Sequence, residues 1–466
     1  MSASILSPEK CLIRIKGTNV AGEEIQIIKG LDIPKAADMM MQRCTFVYIV
    51  ETRMIYIYSQ ECGGFLPNAE QIIHKELYKA FRPYYTHDGK PVLNKYKVSE
   101  IVARIHAATA KSITVFQRSE PLFNVANGVL DLETGKLLPH SPDYMMLEQS
   151  PVIYDPEADC PKFESYLEDA LDPQYHDTLA EIYGYTMWPR YDAQRAIILF
   201  GPPRTGKGTL LRILQELLGK DNYSSVSLHD LINHTFKRAE LFGKRANISG
   251  DLPATPIKDP QIFQNLTGGD DVTVEFKFGR PFQMSNAAKL IFAANKLPRI
   301  YRDDDAFYAR WIIIPVEHSF VGHEDPSIEA SLKTPGELSG ILNLAFESLQ
   351  RLKVNGWQFS THIDGLKMYR LQSRPETSFL EEMCEASEDG YVLKTDLVTE
   401  YNKWAKENGF PPATSMNAFG RAIRDQMIIP VDGGYRPLAN GKQREAWAGI
   451  RLKEIRSRKF AANAQC

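Results

Sequence analysis

Residues 201–209 read Gly-Pro-Pro-Arg-Thr-Gly-Lys-Gly-Thr and follow directly on the apolar run from Ala196 to Phe200. The order predicts a buried strand, a tight loop and a helix from Thr209 to Leu218 that ends at Gly219. Gly201 and Gly206 let the backbone curl so that successive N–H groups converge on one point. Lys207 adds a point charge there, and the N-terminal dipole of the helix points the same way. Such a cradle suits the phosphates of a nucleoside triphosphate, with every residue from Gly201 through Pro202, Pro203, Arg204, Thr205, Gly206, Lys207 and Gly208 to Thr209 in contact range. The bland alternative is a chance glycine-rich turn.

The usual form of this loop has Ser or Thr immediately after the lysine, where its hydroxyl ligates magnesium. Here Gly208 holds that position and Thr209 follows, so the metal-binding hydroxyl is assigned to Thr209. A Lys-Gly-Thr ending also occurs in nucleoside monophosphate kinases, which keeps a kinase reading open.

Bulk properties narrow the class. A chain of 466 residues holds two to four domains, and 43% hydrophobic residues is ordinary for a globular protein. A net charge of −3 excludes coating nucleic acid along the whole chain, so any such contact uses local basic patches. The six cysteines, at 11, 44, 62, 160, 384 and 466, form no CxxC pair, which fits a reduced cytoplasmic protein without a zinc site. No signal-peptide pattern opens the chain and no run of 18 apolar residues occurs, so no membrane partner is expected.

Four regions are expected. Residues 1–120 form an α+β region: a hairpin over 12–28, strands over 46–58, a helix from Asn68 to Phe81 and another over 97–110. Residues 121–189 form a mostly helical region, with a hairpin over 124–139 and helices at 162–172 and 176–187. Residues 190–355 form an α/β core with strands at 196–200, 244–249, 289–294 and 311–316, closed by a helix over 334–354. Residues 376–460 form a small separate domain with helices at 376–386, 394–408 and 415–427 before short strands.

A phosphate loop alone does not choose a reaction. Hydrolysis also needs an acid at the end of a neighbouring strand, to hold magnesium or activate water. Asp251, directly after the strand ending near Ser249, is the candidate; Asp259, Asp270 and Asp271 are weaker. Asp251 has no adjacent second carboxylate, being flanked by Gly250 and Leu252, and its alternative is a turn aspartate. The strand from Lys289 ends in Asn295, whose neutral amide can orient water or meet a γ-phosphate; a plain turn asparagine is the alternative. Arg310 stands where a helix meets the last strand, and could instead pair with the Asp303–Asp305 run; Arg302 is the second choice.

Taken together, Gly201–Thr209, Asp251, Leu266–Asp270, Phe282–Pro298 and Arg310 resemble the superfamily 3 helicase domain of phage, plasmid and poxvirus-type primase–helicases. Residues 127–136 and 154–161 are similar to the segment before the ATPase in that family, and residues 391–450 to its C-terminal winged helix. The resemblance covers roughly 120–455. It implies an AAA+ P-loop ATPase core, an α+β N-terminal region and a winged-helix domain, with 121–189 as a collar for oligomerisation. It also implies ATP and Mg2+ as cofactors, with Lys207 and Thr209 on phosphates and metal. Asp251 becomes the second acidic motif and a metal ligand, Asn295 the sensor, and Arg310 a finger reaching the neighbouring subunit of a ring, for which the resemblance implies six members.

In such rings a hairpin between the acidic motif and the sensor contacts single-stranded DNA in the pore. Here that is 272–281, with Gly279 in its turn, Lys277 and Arg280 for phosphates, and Phe276 or Phe278 for stacking. A solvated hairpin is the alternative. No carboxylate-rich primase pattern occurs in 1–120, so a primase or polymerase is expected on a separate chain. The basic residues Lys442, Arg444, Arg451, Lys453, Arg456, Arg458 and Lys459 suit a wing facing duplex DNA, or simply a solvated tail. The expected function is an ATP-driven replicative DNA helicase of a virus, plasmid or other mobile element. The alternatives are a nucleoside monophosphate-type kinase and an origin-binding regulator with a degenerate ATP site.

Overall fold

The computed structural model describes residues 6–117, 119–253, 255, 257, 259–277, 279–298, 305–323, 325–361, 375–408, 410, 412–413, 415–425, 432–437 and 443–453. The chain divides into two compact units. The larger comprises residues 1–252, 259–295 and 310–362; the smaller comprises 253–258, 296–309 and 363–466.

The larger unit opens with the hairpin Leu12–Thr18 and Glu24–Leu31. Beyond it lies a four-stranded sheet ordered Gly64–Leu66, Met54–Ser59, Phe46–Ile49, Ala110–Lys111. Helices Ile33–Arg43, Ala69–Phe81 and Lys95–Thr109 share one apolar core that includes Met40, Phe46, Ile73, Leu77, Ile101 and Ile105. The last helix starts earlier than its apolar pattern implies, because Asn94 caps it by accepting from Lys97 N at 3.0 Å. Asn68 stands at the expected helix start, but in left-handed backbone (φ +62°) with no side-chain cap.

Residues 121–189 contain more sheet than expected. A three-stranded meander, Leu122–Val125, Gly128–Asp131 and Leu137–Leu138, precedes helices Pro161–Ala170 and His176–Met187. The second helix is buried from Thr178 to Met187 and lies on helix Pro335–Val354. Gly184 permits the approach: a Cβ there would stand 2.2 Å from the Ala345 carbonyl and 2.9 Å from Leu349 Cβ.

The centre of this unit is a parallel sheet of β1 (Ala196–Phe200), β2 (Tyr223–Ser224), β3 (Ala246–Ser249), β4 (Lys289–Ala294) and β5 (Trp311–Pro315). The strands lie in the order β2-β3-β4-β1-β5. The near-continuous apolar sequences of β1, β5 and, after Lys289, β4 follow from burial on both faces of a parallel sheet. The register is direct: Phe200 lies opposite both Ala294 and Pro315, and Ser249 opposite Phe292. The sheet therefore ends nearly level on one side.

A buried ion pair ties the meander to this sheet. Arg245, just before β3, pairs with Glu148 and donates to the carbonyls of Met187 (3.0 Å) and Leu122 (2.9 Å). Lys289, at the start of β4, is fully buried, donates to Trp188 O at 2.8 Å and lies 4.7 Å from the Tyr185 ring centre. Burial pushes its pKa well below the usual lysine value.

The smaller unit runs helix Pro375–Met383, strand Cys384–Leu393, helices Lys394–Glu407 and Met416–Asp425, then strands Asp432–Pro437 and Gln443–Leu452. The first strand pairs with the third, and the third with the second. Phe379, Leu397, Tyr401, Trp404, Phe419 and Trp447 form its core. The long strand 384–393 was not expected from its polar sequence.

The Gly184 contact yields a direct test. Gly184→Ala forces a methyl group into the Ala345 backbone and should cost about 1–3 kcal/mol in urea unfolding. Unchanged stability would show that the two helices separate freely.

Candidate functional site

The site is built at the level edge of the sheet. β1 runs into the Gly201–Thr209 loop, and Gly201 N donates to Ala294 O at 3.1 Å, closing the loop entrance onto β4. Gly206 has φ +89° and Arg204 φ +63°, so the loop turns through the left-handed region twice before helix Lys207–Leu218 begins. The helix thus starts two residues earlier than expected.

The Lys207 side chain is 8% exposed and folds back over the loop. Its ammonium donates to Gly201 O at 2.8 Å, to Pro202 O and to Thr205 Oγ1 at 3.3 Å. Burial lowers its pKa from the ordinary lysine value, because it is surrounded by dipoles rather than by a counter-charge. A phosphate in the loop would supply that charge.

Asp251 and Asn295 lie at the same edge. Asn295 follows β4 directly; Asp251 stands two residues past β3, where Leu252 N donates to Ala293 O at 2.9 Å and Ser249 Oγ to Asp251 O at 3.3 Å. Both side chains are exposed. A cavity of about 300 Å³ is lined by the loop from Pro203 to Thr209 together with Arg212, Gly250 and Asn295. The sheet order accounts for this convergence, since β4 lies between β3 and β1. A carboxylate, an amide, an ammonium and a row of backbone N–H groups can together hold a polyphosphate and a water beside it. Among the described residues, no three His, Cys, Asp or Glu side chains group to hold a metal by themselves.

The weaker acids have local roles. Asp259 accepts from Gln261 N at 2.9 Å at the start of helix Gln261–Gly268. Asp270 lies past the left-handed Gly269 that ends this helix, and Asp271 opens the next strand.

Arg310 is elsewhere. It precedes β5, its carbonyl accepts from Ala196 N at 2.7 Å, and its guanidinium donates to Gln194 Oε1 at 3.4 Å. That is the opposite edge of the sheet from the loop, separated by the five residues of β5, about 16 Å at roughly 3.3 Å per residue. Arg310 and Asp270 both lie against Gly268. Arg302, Asp303 and Asp304 lie outside the described residues.

Residues 271–285 do form a hairpin, with Asp271–Val274 paired to Phe282–Ser285. Gly279 N donates to Phe276 O at 2.8 Å in the connecting turn. Lys277 and Arg280 are exposed, but Phe276 is half-buried, stacked on Phe282 at 5.5 Å and edge-on to Phe242 at 5.9 Å. Its ring is therefore packed into the protein; Phe278 lies outside the described residues. Arg280 N donates to Glu51 O at 3.2 Å and Gln117 Nε2 to Gln283 O at 3.0 Å, so the N-terminal region braces the hairpin.

In the smaller unit, Arg451 pairs with Glu385, and Lys453 Nζ donates to the carbonyls of Glu381 (2.7 Å) and Glu382 (3.1 Å). Both basic groups serve their own fold, whereas Arg444 is exposed. Lys442, Arg456, Arg458 and Lys459 lie outside the described residues.

Three loop neighbours escaped the sequence reading. Tyr166 Oη approaches Gly206 O at 3.4 Å and hydrogen-bonds with Thr209. Phe320 stacks on Tyr166, and its backbone N donates to Arg204 O at 3.0 Å. Arg212 Nη2 donates to Thr209 Oγ1 at 3.3 Å. Only Arg212 had a local signal, being four residues after Gly208 and so on the same helix face.

Known proteins resemble parts of this chain. Residues 37–172 match the family described as "D5 N terminal like". Residues 199–310 match a "Family of unknown function (DUF5906)". A protein of Acanthamoeba polyphaga mimivirus named "Putative helicase L207/L206" is 26% identical over 136 residues, which is 28% of this chain and 14% of that protein. The chain thus spans a small fraction of that relative. Two apo structures of the NrS-1 C-terminal region are similar at TM-scores of 0.46 and 0.44. They are 11% and 12% identical, cover 89% of this chain in each case, and are covered over 99% and 98% of their own lengths.

Gly206 offers a test of the loop geometry. A Cβ there would meet Tyr166 Oη at 2.6 Å, in a left-handed backbone. Gly206→Ala should lower stability by about 1–3 kcal/mol in urea unfolding while leaving far-UV circular dichroism unchanged. An unchanged unfolding midpoint would show that the loop relaxes without strain.

Proposed function

We propose that this chain is the motor subunit of an ATP-driven DNA helicase, acting as a ring of six subunits in replication of a virus or other mobile element. The observation that carries the reading is the convergence of Lys207, Asp251 and Asn295 at one edge of a sheet ordered β2-β3-β4-β1-β5. That order, with a phosphate loop after β1, an acid after β3 and an amide after β4, suits an AAA+ P-loop ATPase. The matches to the D5-like family and to a mimivirus protein named as a helicase support the same direction.

In this reading Lys207 neutralises the β- and γ-phosphates, and the loop N–H groups fix their orientation. Asp251 and Thr209 hold Mg2+, which neutralises developing phosphate charge when bound. Asn295 orients the attacking water. Asp251 is the sole acid of its motif, so activation of that water falls on it alone or on its partner subunit. Arg310 sits too far from its own loop to act there, which favours action on the neighbouring subunit's γ-phosphate.

Lys277 and Arg280 would meet the backbone of single-stranded DNA. Residues 376–460 would be a winged helix: the succession of one helix, one strand, two helices and two strands, with the third strand central, supports this. Residues 121–189 would be the collar, 190–355 the motor and 1–120 a region of separate role, with primase or polymerase activity on another chain. A nucleoside monophosphate-type kinase would transfer phosphate to a nucleotide without DNA, and an origin-binding regulator would bind duplex without turnover.

ATP hydrolysis should rise with single-stranded DNA and drive strand displacement on forked DNA. Lys207→Ala and Arg310→Ala should each lower turnover about a thousandfold. Mixing the two variants should restore part of it, because one interface type then carries both intact residues. Full activity of Arg310→Ala would sink the trans assignment, and hydrolysis indifferent to DNA would sink the helicase reading.

A further inference from the structure

Gly208 occupies the position where this type of loop usually carries a magnesium-binding hydroxyl, and Arg212 stands over it. A Cβ at 208 would lie 2.9 Å from Arg212 Nη1 and 3.7 Å from Cζ. The guanidinium is anchored there from two sides. Its Nε donates to Glu329 Oε2 at 2.6 Å and its Nη2 to Thr209 Oγ1 at 3.3 Å. The side chain is 48% exposed and lines the phosphate cavity.

We propose that Arg212 is a second phosphate-binding cation of the nucleotide site, its guanidinium resting against the side-chain-free face of Gly208. This rests on the reading of Gly201–Thr209 as a nucleotide site. Three observations carry it. Arg212 and Lys207 both line the same cavity. A planar guanidinium offers paired N–H donors that match phosphate oxygens, which a hydroxyl cannot do. The anchor is also releasable: Lys333 holds Glu329 at 2.6 Å and Glu216 at 2.9 Å, so Glu329 keeps a counter-charge when Arg212 turns towards a ligand.

The arrangement also recasts Thr209. Its hydroxyl already accepts from Arg212 and meets Tyr166, so it holds the guanidinium in place as well as facing the cavity.

The test is equilibrium binding of a fluorescent ATP analogue to the full chain, with Mg2+ and with EDTA, alongside thermal melting. Arg212→Ala should weaken binding about tenfold, with part restored in Arg212→Lys. The loss should persist in EDTA, since the contact is made by the protein and not through the metal. Gly208→Ser should also weaken binding, by displacing the guanidinium, and should add nothing in an Arg212→Ala background. Glu329→Gln breaks the same ion pair but keeps the guanidinium, and should bind within roughly twofold of the parent.

Binding by Arg212→Ala within twofold of the parent, with Lys207→Ala defective, overturns the role of Arg212 and leaves the nucleotide site standing. A loss in Glu329→Gln as large as in Arg212→Ala overturns it too, because the ion pair and not the cation would then matter. Undiminished binding by Lys207→Ala removes the nucleotide site itself. Should Arg212→Ala melt early, Arg212→Lys and Gly208→Ser carry the same test.

Discussion

The hydrogen bond from Gly201 N to Ala294 O is the constraint on which the site depends. It closes the end of β1 onto the end of β4 in a register that leaves Phe200 and Ala294 opposite each other. With β3 paired to the other side of β4, the residues that follow three strands emerge along one line. None of Lys207, Asp251 and Asn295 is near another in sequence, and none contacts the other two through a long side chain. Their grouping comes from backbone pairing in a sheet too apolar to shift register without exposing its core.

Much of this was legible in the chain. The run Ala196–Phe200 followed by a glycine-flanked lysine has few other solutions. Strands β4 and β5 fell where their apolar sequences placed them, because a strand buried on both faces leaves little to chance. What was not legible has non-local causes. Tyr223–Ser224 is a two-residue edge strand, set by its pairing with Ala246 and Asn247 and carrying no pattern of its own. Strand Cys384–Leu393 is largely polar and exists because Gln443–Leu452 pairs with it across an irregularity between Ala386 and Tyr391. Phe276 read as a ring for stacking on bases, but Phe242 and Phe282 close around it from elsewhere in the chain. Arg212 read as one more charge on a helix surface; its placement depends on Glu329, far along the sequence.

The electrostatics of the larger unit divide along the sheet. At the loop edge, Lys207 is buried among carbonyls, with exposed Asp251 nearby, an arrangement suited to receiving an anion. At the opposite edge, Arg245 has Glu148 as a fixed counter-ion, while Lys289 is satisfied by carbonyls and by the Tyr185 and Tyr191 rings. The Arg245 charge has its fixed partner, and both groups join the meander and the end of helix His176–Met187 to the strands.

Helix His176–Met187 grips the loop helix as well as its own partner, since Tyr183 Oη donates to Leu210 O at 2.6 Å. Gly184, one residue on, locks the same helix against Ala345 with no spare space. The loop helix and helix Pro335–Val354 are therefore both fastened to helix His176–Met187. Packing this tight transmits displacement, so a shift of the loop helix is passed through His176–Met187 to the 20-residue helix Pro335–Val354.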